Sequence, residues 1–498
     1  MTYWNVISLS IIESFHIAYN CLYNVNILCL YQQAFMLESL KSSILYRRLN
    51  ENTISGGLVI ALHPVQLIGL IIFVGTYILI STEKLHRPIS ALLGASIISI
   101  LLIVTEWEYQ GEVTTFHTIV SRVEWNTLLF ITAMMIITII SSRSGLFQYI
   151  SIIIVRFTKG NPKTLLLSLS MLTFIISFVF DVITTMLIIA PLTVEIYKIL
   201  EFDFRPTLIV EAITANFASI PSLVGSIPNI VLADKSGATF LDFLIVMGPL
   251  SLMLFATALP IYYLTAKKTF SDPPTTLVKE IFLLDPNVLV EDKRTFYVVI
   301  VGLFVLVMGF IFGSVLNLKA AEIALLIAAG LLLFSGMHPK EIFRDVEWIS
   351  VYFIIGLFIL VGSIEILYLL ELLGELLTPF LELPLIFSLP FISFGIGAIS
   401  AVVDNIPISA ALAPVFFDLQ NAGIIGSIQW WTLVIAVNLG GYILPIGSPA
   451  NILAINLSNR EGAEITFVQF LKVGALLGFL HLLIGTIYLI ALSTFGIL

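Results

Sequence analysis

Charged residues are scarce in this chain of 498 residues. Only 11% of its residues are charged and 59% are hydrophobic, whereas a soluble globular domain has about 25% charged residues. A soluble protein of this size needs more charge to cover its surface, so a cytosolic enzyme, a nucleic-acid-binding protein and a disordered scaffold are excluded. The mean hydropathy of +1.06 is typical of a membrane protein with several spans.

Cysteine and phosphate-binding motifs are also scarce. The two cysteines, Cys21 and Cys29, lie near the start of the chain, so no disulfide framework or cysteine metal site can hold the core. The chain has no GxxxxGK loop, so any active transport must be driven by an ion gradient. No cofactor is expected apart from Na⁺ or H⁺ as a coupling ion. The sequence does not indicate whether a soluble ATPase docks on the cytoplasmic loops.

Long apolar stretches are what the sequence has in abundance. A transmembrane helix needs about 20 mostly apolar residues. Stretches of this kind lie near 64–81, 88–105, 126–142, 242–266, 295–315, 319–336, 349–365 and 466–494. Four further stretches are interrupted by Pro, Gly or polar residues, namely 164–200, 207–235, 385–424 and 430–457. Such breaks are tolerated at membrane depth only where the backbone is buried in protein or lines a cavity, so they predict two re-entrant hairpins and two broken helices.

The interrupted stretches belong to an internal duplication. The matched segments are Val123–Trp125 with Val346–Trp348, Asp181 with Asp404, and Gly225–Asn229 with Gly447–Asn451. The offset is 223 positions for the first two pairs and 222 for the third. A register held over about 100 residues indicates two repeats, each with a hairpin and a broken helix.

The duplication predicts four segments. Residues 1–63 form an N-terminal tail, 64–266 the first repeat, 267–294 a charged linker and 295–498 the second repeat. Three interpretations of the tail stay open: an extra helix, an interfacial segment, or sequence read from a wrong start codon. Each repeat has an odd number of crossings, so the repeats are inverted. Paired broken helices in inverted repeats indicate a binding site near the midplane of a secondary transporter.

The distribution of Lys and Arg predicts the orientation. We assign twenty Lys and Arg residues to one side of the membrane or the other. Seventeen of them lie on the same side, and only Arg122, Lys235 and Lys319 lie on the opposite side. The positive-inside rule makes the larger group cytoplasmic. We therefore expect a multi-pass protein of the cell membrane, with a cytoplasmic linker and an external C-terminus.

Asp181 and Asp404 are the strongest candidates for chemistry, because each lies where a hairpin should turn. A carboxylate at membrane depth is costly and is a functional hypothesis by default. One that alternates between a proton and Na⁺ is a minimal coupling device. The alternative is that both aspartates only cap helices.

Polar residues accompany both aspartates. The candidate ligands for an ion or solute are Thr184, Thr185, Asn216, Gly225, Ser226, Asn229, Asn405, Asn438, Gly447, Ser448 and Asn451. Glu211 lies in an apolar run, where we predict an interfacial position, with a proton path as the alternative. His481 is expected to be a packing residue.

Several of these segments resemble a known family. Asp181–Leu187 with Pro191, the Asp404–Pro407 segment and the paired G-S-x-x-N segments resemble the ion transporter superfamily. The resemblance covers roughly 64–494 and is nearest to its arsenite permease, P-protein and sodium/proton antiporter branch, which has a citrate transporter-like domain. It implies an all-α membrane protein with a scaffold and a mobile, elevator-type transport domain, and a homodimer is common in the family.

The resemblance also implies which residues bind the transported ion or solute. Carried over by position, one half-site holds Asp181, Thr184, Thr185, Gly225, Ser226 and Asn229. The other holds Asp404, Asn405, Gly447, Ser448 and Asn451. The first half-site departs from the family pattern at Val182 and Ser226, where polar ligands are usual, so Na⁺ is expected at Asp404, Asn405 and Asn451 in the second.

Two functions remain open at this point. The first is cation (Na⁺)/proton antiport by the hairpin carboxylates, and the second is transport of arsenite, another oxyanion or a dicarboxylate. No Arg is expected near either hairpin turn, so a dianion would lack a charge-assisted partner. A channel does not need two matched hairpins, and a membrane enzyme would show His or Asp clusters with metal-ligand spacing, so both are disfavoured.

Overall fold

The chain folds as an all-α protein with several membrane-spanning helices, as predicted. The computed structural model describes residues 62–82, 85–267, 290, 292–313, 316 and 318–497. Ten helices in these ranges are long and apolar enough to cross a membrane. The described strands form a two-stranded antiparallel ribbon of β1 (Glu108–Tyr109) and β2 (Glu112–Val113). The predictions for the tail up to residue 61 and for most of the linker lie outside the described residues.

The helices before the linker include the first hairpin and the first broken helix. They are α1 (Pro64–Thr82), α2 (Arg87–Val104), α3 (Phe116–Val120), α4 (Trp125–Arg143), α5 (Leu146–Thr158), α6 (Pro162–Val179), α7 (Val182–Ile199), α8 (Arg205–Ala218), α9 (Ile227–Ser236) and α10 (Phe240–Ala266). The hairpin consists of α6 and α7. The broken helix consists of α8 and α9.

The helices after the linker follow a similar order. They are α11 (Lys293–Gly313), α12 (Ala320–Phe334), α13 (Pro339–Asp345), α14 (Trp348–Ile366), α15 (Leu369–Leu381), α16 (Leu385–Pro390), α17 (Gly397–Val402), α18 (Asn405–Asn421), α19 (Ser427–Gly440), α20 (Pro449–Arg460) and α21 (Phe467–Thr494). A π-helical turn, Phe391–Ile396, joins α16 to α17. The second hairpin runs from α16 to α18, and the second broken helix is α19 with α20.

Both hairpins turn at an extended residue followed by an aspartate cap. In the first, Phe180 is extended (φ −118°, ψ 155°) and Asp181 caps α7. In the second, Val403 is extended (φ −103°, ψ 136°) and Asp404 caps α18. The extended residue ends the first arm, and the cap satisfies backbone N–H groups at the start of the second.

The two broken helices depend on glycine. A Cβ atom at Gly225 would lie 2.6 Å from the carbonyl oxygen of Ser177, and one at Gly447 would lie 2.6 Å from that of Gly441. Only glycine lets backbones approach this closely. The breaks extend over residues 219–226 and 441–448, so Asn229 is helical rather than part of the first break. In the first hairpin, α7 begins at Val182, so Thr184 and Thr185 are helical rather than part of the turn.

The hairpins and broken helices form the protein interior. Every residue of α19 after Ser427 is buried, and so are most residues of α8. The first hairpin packs through α7 against α8 and α20, whereas the second packs through α18 against α9 and α19. Each hairpin therefore contacts half of the opposite broken helix, which brings the four interrupted segments together.

Candidate transport site

The four interrupted segments meet at a small internal cavity of about 20 Å³. Its lining includes Asp181, Ser226, Asn405 and Ser448, one from each segment. A cavity needs about 10–15 Å³ to hold a water molecule, so this one has room for a single water or small ion. We call it the junction cavity. Residues predicted for the two half-sites thus lie side by side.

Asp181 acts as a helix cap. Its carboxylate accepts hydrogen bonds from the backbone N–H groups of Ile183 (3.0 Å) and Thr184 (3.1 Å). No ion pair to Asp181 occurs among the described residues. Capping and ion binding can coexist, because a carboxylate has about four lone-pair sites.

Asp404 caps its helix and also forms an ion pair. It accepts a hydrogen bond from the backbone N–H of Ile406 (3.0 Å), and its second oxygen lies 2.5 Å from Nη1 of Arg87. The side chain of Asp404 is only 3% exposed. The expectation that no Arg lies near a hairpin turn is therefore wrong, because α2 brings Arg87 to Asp404 across 317 residues of chain.

A larger cavity of about 240 Å³ adjoins this ion pair, and we call it the arginine cavity. Its lining includes Arg87, Asp404, Glu347 and Ile227, and Ile227 also lines the junction cavity. Burial and the nearby Asp181 carboxylate raise the pKa of Glu347 above its usual value.

A chain of polar side chains connects the two broken helices at Asn438. The hydroxyl of Ser226 donates to Oδ1 of Asn438 (2.7 Å), and Nδ2 of Asn438 donates to Oδ1 of Asn229 (2.8 Å). Asn229 in turn donates to three carbonyl groups of the first break, the shortest bond being 2.8 Å to Ser222. This network fixes the irregular backbone by satisfying its buried carbonyls.

The corresponding network around Asn216 is incomplete. Nδ2 of Asn216 lies 3.4 Å from Oδ1 of Asn451, and Asn451 donates to the carbonyls of Gly441 and Leu444 (both 3.1 Å). However, Oδ1 of Asn216 and the hydroxyl of Ser448 are buried without a hydrogen-bond partner. The two halves of the site are therefore chemically different, although their sequences match.

This difference predicts unequal effects of two matched substitutions. We expect Ser226→Ala to lower the free energy of unfolding by about 1–3 kcal/mol, because it leaves the buried Oδ1 of Asn438 without its donor. Ser448→Ala removes no protein hydrogen bond, so we expect a smaller loss. Denaturant titration of the two variants measures the difference. A larger loss for Ser448→Ala would contradict this account.

The remaining predicted ligands lie close to the junction. Thr184, Thr185 and Asn405 are buried in the first turns of α7 and α18, and the hydroxyl of Thr185 has no hydrogen-bond partner. Of the predicted Na⁺ ligands, Asp404 binds Arg87, and the Asn451 amide binds backbone carbonyls. The described residues contain no cluster of three or more His, Cys, Asp or Glu that could hold a metal ion.

Four helix N-termini point into the same region. Each N-terminus carries roughly half a positive charge. Asp181 and Asp404 offset this charge at α7 and α18, but Ser226 and Ser448 make no capping bond to α9 and α20. Both serines are buried. Two uncapped N-termini therefore remain beside the junction cavity, and such ends favour anions.

Sequence reasoning missed Arg87 and Glu347 as members of the site. A signal for Glu347 was present, since Val346–Trp348 repeats Val123–Trp125 at the same offset as the aspartates. No comparable signal exists for Arg87, because only the packing of α2 places it at the second hairpin.

The described residues contain ten apolar helices and a buried polar junction. This architecture and the family match identify a membrane transporter and not an enzyme. The chain belongs to the citrate transporter family, whose model matches residues 77–436. This confirms the resemblance to the citrate transporter-like branch of the ion transporter superfamily. Secondary transport is the activity of this class.

Similar proteins cover nearly the whole chain. An uncharacterized transporter of Mycobacterium tuberculosis is 27% identical over 432 residues, which is 85% of this chain and 98% of that protein. An uncharacterized transporter of Synechocystis is 25% identical, over 81% of this chain and 92% of its own length. The human P protein is 24% identical over 84% of this chain, which corresponds to 59% of the P protein.

Proposed function

We propose that this chain is a secondary transporter of a small anion, a carboxylate or an oxyanion, which binds where the hairpins and broken helices meet. The observation that carries this proposal is the pair of uncapped, buried N-termini of α9 and α20 beside Arg87. A ligand is one of the groups that can satisfy the N–H groups of a buried helix end without a side-chain cap. An anion supplies that partner at both ends.

Arg87 gives the anion a charge-assisted contact. The guanidinium group is half-buried at 20% side-chain exposure and already binds one carboxylate, that of Asp404. An incoming carboxylate can compete with Asp404 for the same N–H groups, since Arg recognises such groups with parallel hydrogen bonds. The arginine cavity, about 240 Å³ in volume, has room for a small organic acid next to this pair.

One further finding supports an anion, because the family model describes a citrate transporter. Glu347 adds a pH dependence to the proposal. Its pKa lies above the usual value, and raising the pH through that pKa ionises its carboxyl group in the arginine cavity. The added negative charge opposes an anion at Arg87, so we expect anion binding to weaken as the pH rises through the pKa of Glu347.

The proposal is tested by uptake into proteoliposomes that contain the full chain. Labelled citrate, succinate, phosphate and arsenite would each be offered with an inward proton gradient, an inward Na⁺ gradient or no gradient. We expect at least one anion to accumulate against its own gradient only when an ion gradient is imposed. If no anion enters and Na⁺ alone exchanges with protons, the proposal is wrong.

The second candidate function is Na⁺/proton antiport, and the unpaired carboxylate of Asp181 favours it. That side chain can exchange a proton for a cation without breaking an ion pair of the described residues. In vesicles with an acidic interior and a pH-sensitive dye, antiport would appear as alkalinisation when Na⁺, Li⁺ or K⁺ is added outside.

Asp181→Asn provides a variant for the antiport hypothesis. Because Asn is also a good helix cap, we expect the fold to be retained and cation-dependent alkalinisation to be lost. Asp404→Asn serves as the matched variant at the other tip, where the substitution also removes the ion pair with Arg87. Normal alkalinisation in both variants would show that neither hairpin carboxylate carries the exchange.

The proposal also includes a mobile transport domain and a homodimer. We infer that the hairpins and broken helices move together as the transport domain, because they pack on one another in the interior. We also expect a homodimer in the cell membrane, as in related transporters.

A further inference from the structure

Glu211 is a buried carboxyl group that the proposed site does not use. It lies in the middle of α8 and is 0% exposed, so the predicted interfacial position is wrong. One carboxyl oxygen accepts a hydrogen bond from the hydroxyl of Thr193 at 2.5 Å. The other oxygen is buried and has no hydrogen-bond partner.

No cationic side chain faces this carboxyl group from the helices packed on α8. Those helices are α6, α7, α10, α19, α20 and α21. The charged residues that they carry, Lys163, Glu195, Lys198, Asp242, Arg460 and Lys472, are all exposed. Among the described residues, Glu211 forms no ion pair.

The uncharged titratable groups on those helices have their own partners or are exposed. The hydroxyl of Tyr197 bonds to Thr207, that of Tyr262 to Thr214 and that of Tyr488 to the carbonyl of Val246. The imidazole of His481 bonds to Tyr442, and Tyr263 is exposed. None of these groups neutralises Glu211.

A carboxyl group in this setting is stable only in its protonated, uncharged form. Burial of an unpaired charge is costly, and one neutral hydroxyl donor offsets only a small part of that cost. A proton on the unpartnered oxygen removes the charge. In this conformation of the protein, the side chain of Glu211 is therefore a neutral carboxylic acid.

A row of hydroxyl groups leads away from Glu211 toward the start of α8. Thr193 and Tyr197 lie one turn apart on α7, and Glu211 and Thr207 lie one turn apart on α8, so each pair shares a helix face. The hydroxyl of Thr207 donates to that of Tyr197 at 2.8 Å. Asp203 lies four residues before Thr207, just before α8, and is half-buried.

We propose that Glu211 is the proton-carrying site of the transport cycle. The carboxyl group holds one proton on the unpartnered oxygen. Rotation of the carboxyl group by half a turn brings that oxygen to Thr193, and the hydroxyl groups of Thr193, Tyr197 and Thr207 then pass the proton to water near Asp203. This inference rests on the proposed function only in requiring a secondary transporter, whatever solute is carried. It places the coupling proton in α8, away from the hairpin carboxylates.

Infrared spectroscopy can detect the proton without knowledge of the substrate. Difference spectra of the full chain in lipid nanodiscs, recorded between acidic and alkaline pH, report the carbonyl stretch of a protonated carboxyl group. We expect a band that is lost in Glu211→Gln and retained in Glu195→Gln, an exposed glutamate on α7. Survival of every such band in Glu211→Gln would overturn the proposal.

Transport measurements then separate a carrier from a structural carboxyl group. We expect Glu211→Gln to retain exchange of labelled solute for unlabelled solute but to lose proton movement and accumulation against a gradient. Tyr197→Phe should keep the infrared band and slow the proton movement. Unchanged proton-driven accumulation in Glu211→Gln would overturn the carrier role.

The proton site at Glu211 and the anion site can be refuted separately. If the unmodified chain carries Na⁺ and protons but no anion, the anion proposal fails. Loss of that proton movement in Glu211→Gln would still support the proton site. Persistence of the movement in Glu211→Gln would refute it.

Discussion

Replacing Arg87 with Gln is expected to reduce the initial rate of anion uptake about 10- to 100-fold. A hydrogen bond to a charged group contributes about 1.5–3 kcal/mol, and each 1.4 kcal/mol corresponds to about a factor of ten in affinity. The substitution removes the guanidinium charge from the arginine cavity, while the N-termini of α9 and α20 stay in place. Uptake of the transported anion at subsaturating concentration measures the effect.

Two variants control this prediction. Arg344 is 75% exposed and pairs with Asp345 at the protein surface, so Arg344→Gln should transport at the normal rate. Arg87→Lys keeps the charge but loses the planar group that binds carboxylates with parallel hydrogen bonds, so we expect an intermediate rate. A normal rate in Arg87→Gln would show that Arg87 only holds Asp404 in place.

Replacing Gly447 with Ala is expected to cause a large loss of stability, because the second break has no room for a side chain. The new Cβ would lie 2.6 Å from the carbonyl oxygen of Gly441 and 2.7 Å from that of Ala401. These are backbone atoms on two different segments, so neither can rotate away. Overpacking of this kind costs about 1–3 kcal/mol or more, and thermal unfolding in detergent measures it.

Gly330→Ala is the matched control for Gly447→Ala. No other atom lies within 4 Å of a Cβ at Gly330 in α12, and Ala is favoured over Gly in a helix by about 0.5–1 kcal/mol. We therefore expect unchanged or slightly higher stability. If Gly447→Ala and Gly330→Ala unfold at the same temperature, the backbone segments at the second break do not pack as closely as described.

The sequence predicts the helices and the interrupted segments well, because a bilayer sets strict limits on both. An apolar stretch of about 20 residues has one stable form in a membrane, and the observed helices lie where these stretches were found. The breaks also lie close to their predicted positions, since Gly225, Gly447 and the two aspartates have few other roles at membrane depth.

The contacts within the site could be predicted only in part. Matched motifs suggested equal half-sites, yet Ser226 bonds to Asn438 whereas Ser448 has no partner. Such a difference depends on how the two broken helices pack, which composition and spacing do not encode. The burial of Glu211 was missed for a related reason, because a single Glu in an apolar run has the same sequence signature at an interface as in a core.

Protection of a single cysteine tests the anion site most directly. In a chain with Cys21 and Cys29 replaced by Ser, Ile227→Cys places a thiol where the junction and arginine cavities meet. Glu464→Cys, at an exposed position outside both cavities, serves as the control. We predict that the transported anion slows maleimide labelling at position 227 but not at position 464. Labelling at position 227 that is slowed by Na⁺ and unaffected by citrate, succinate or phosphate would contradict an anion site.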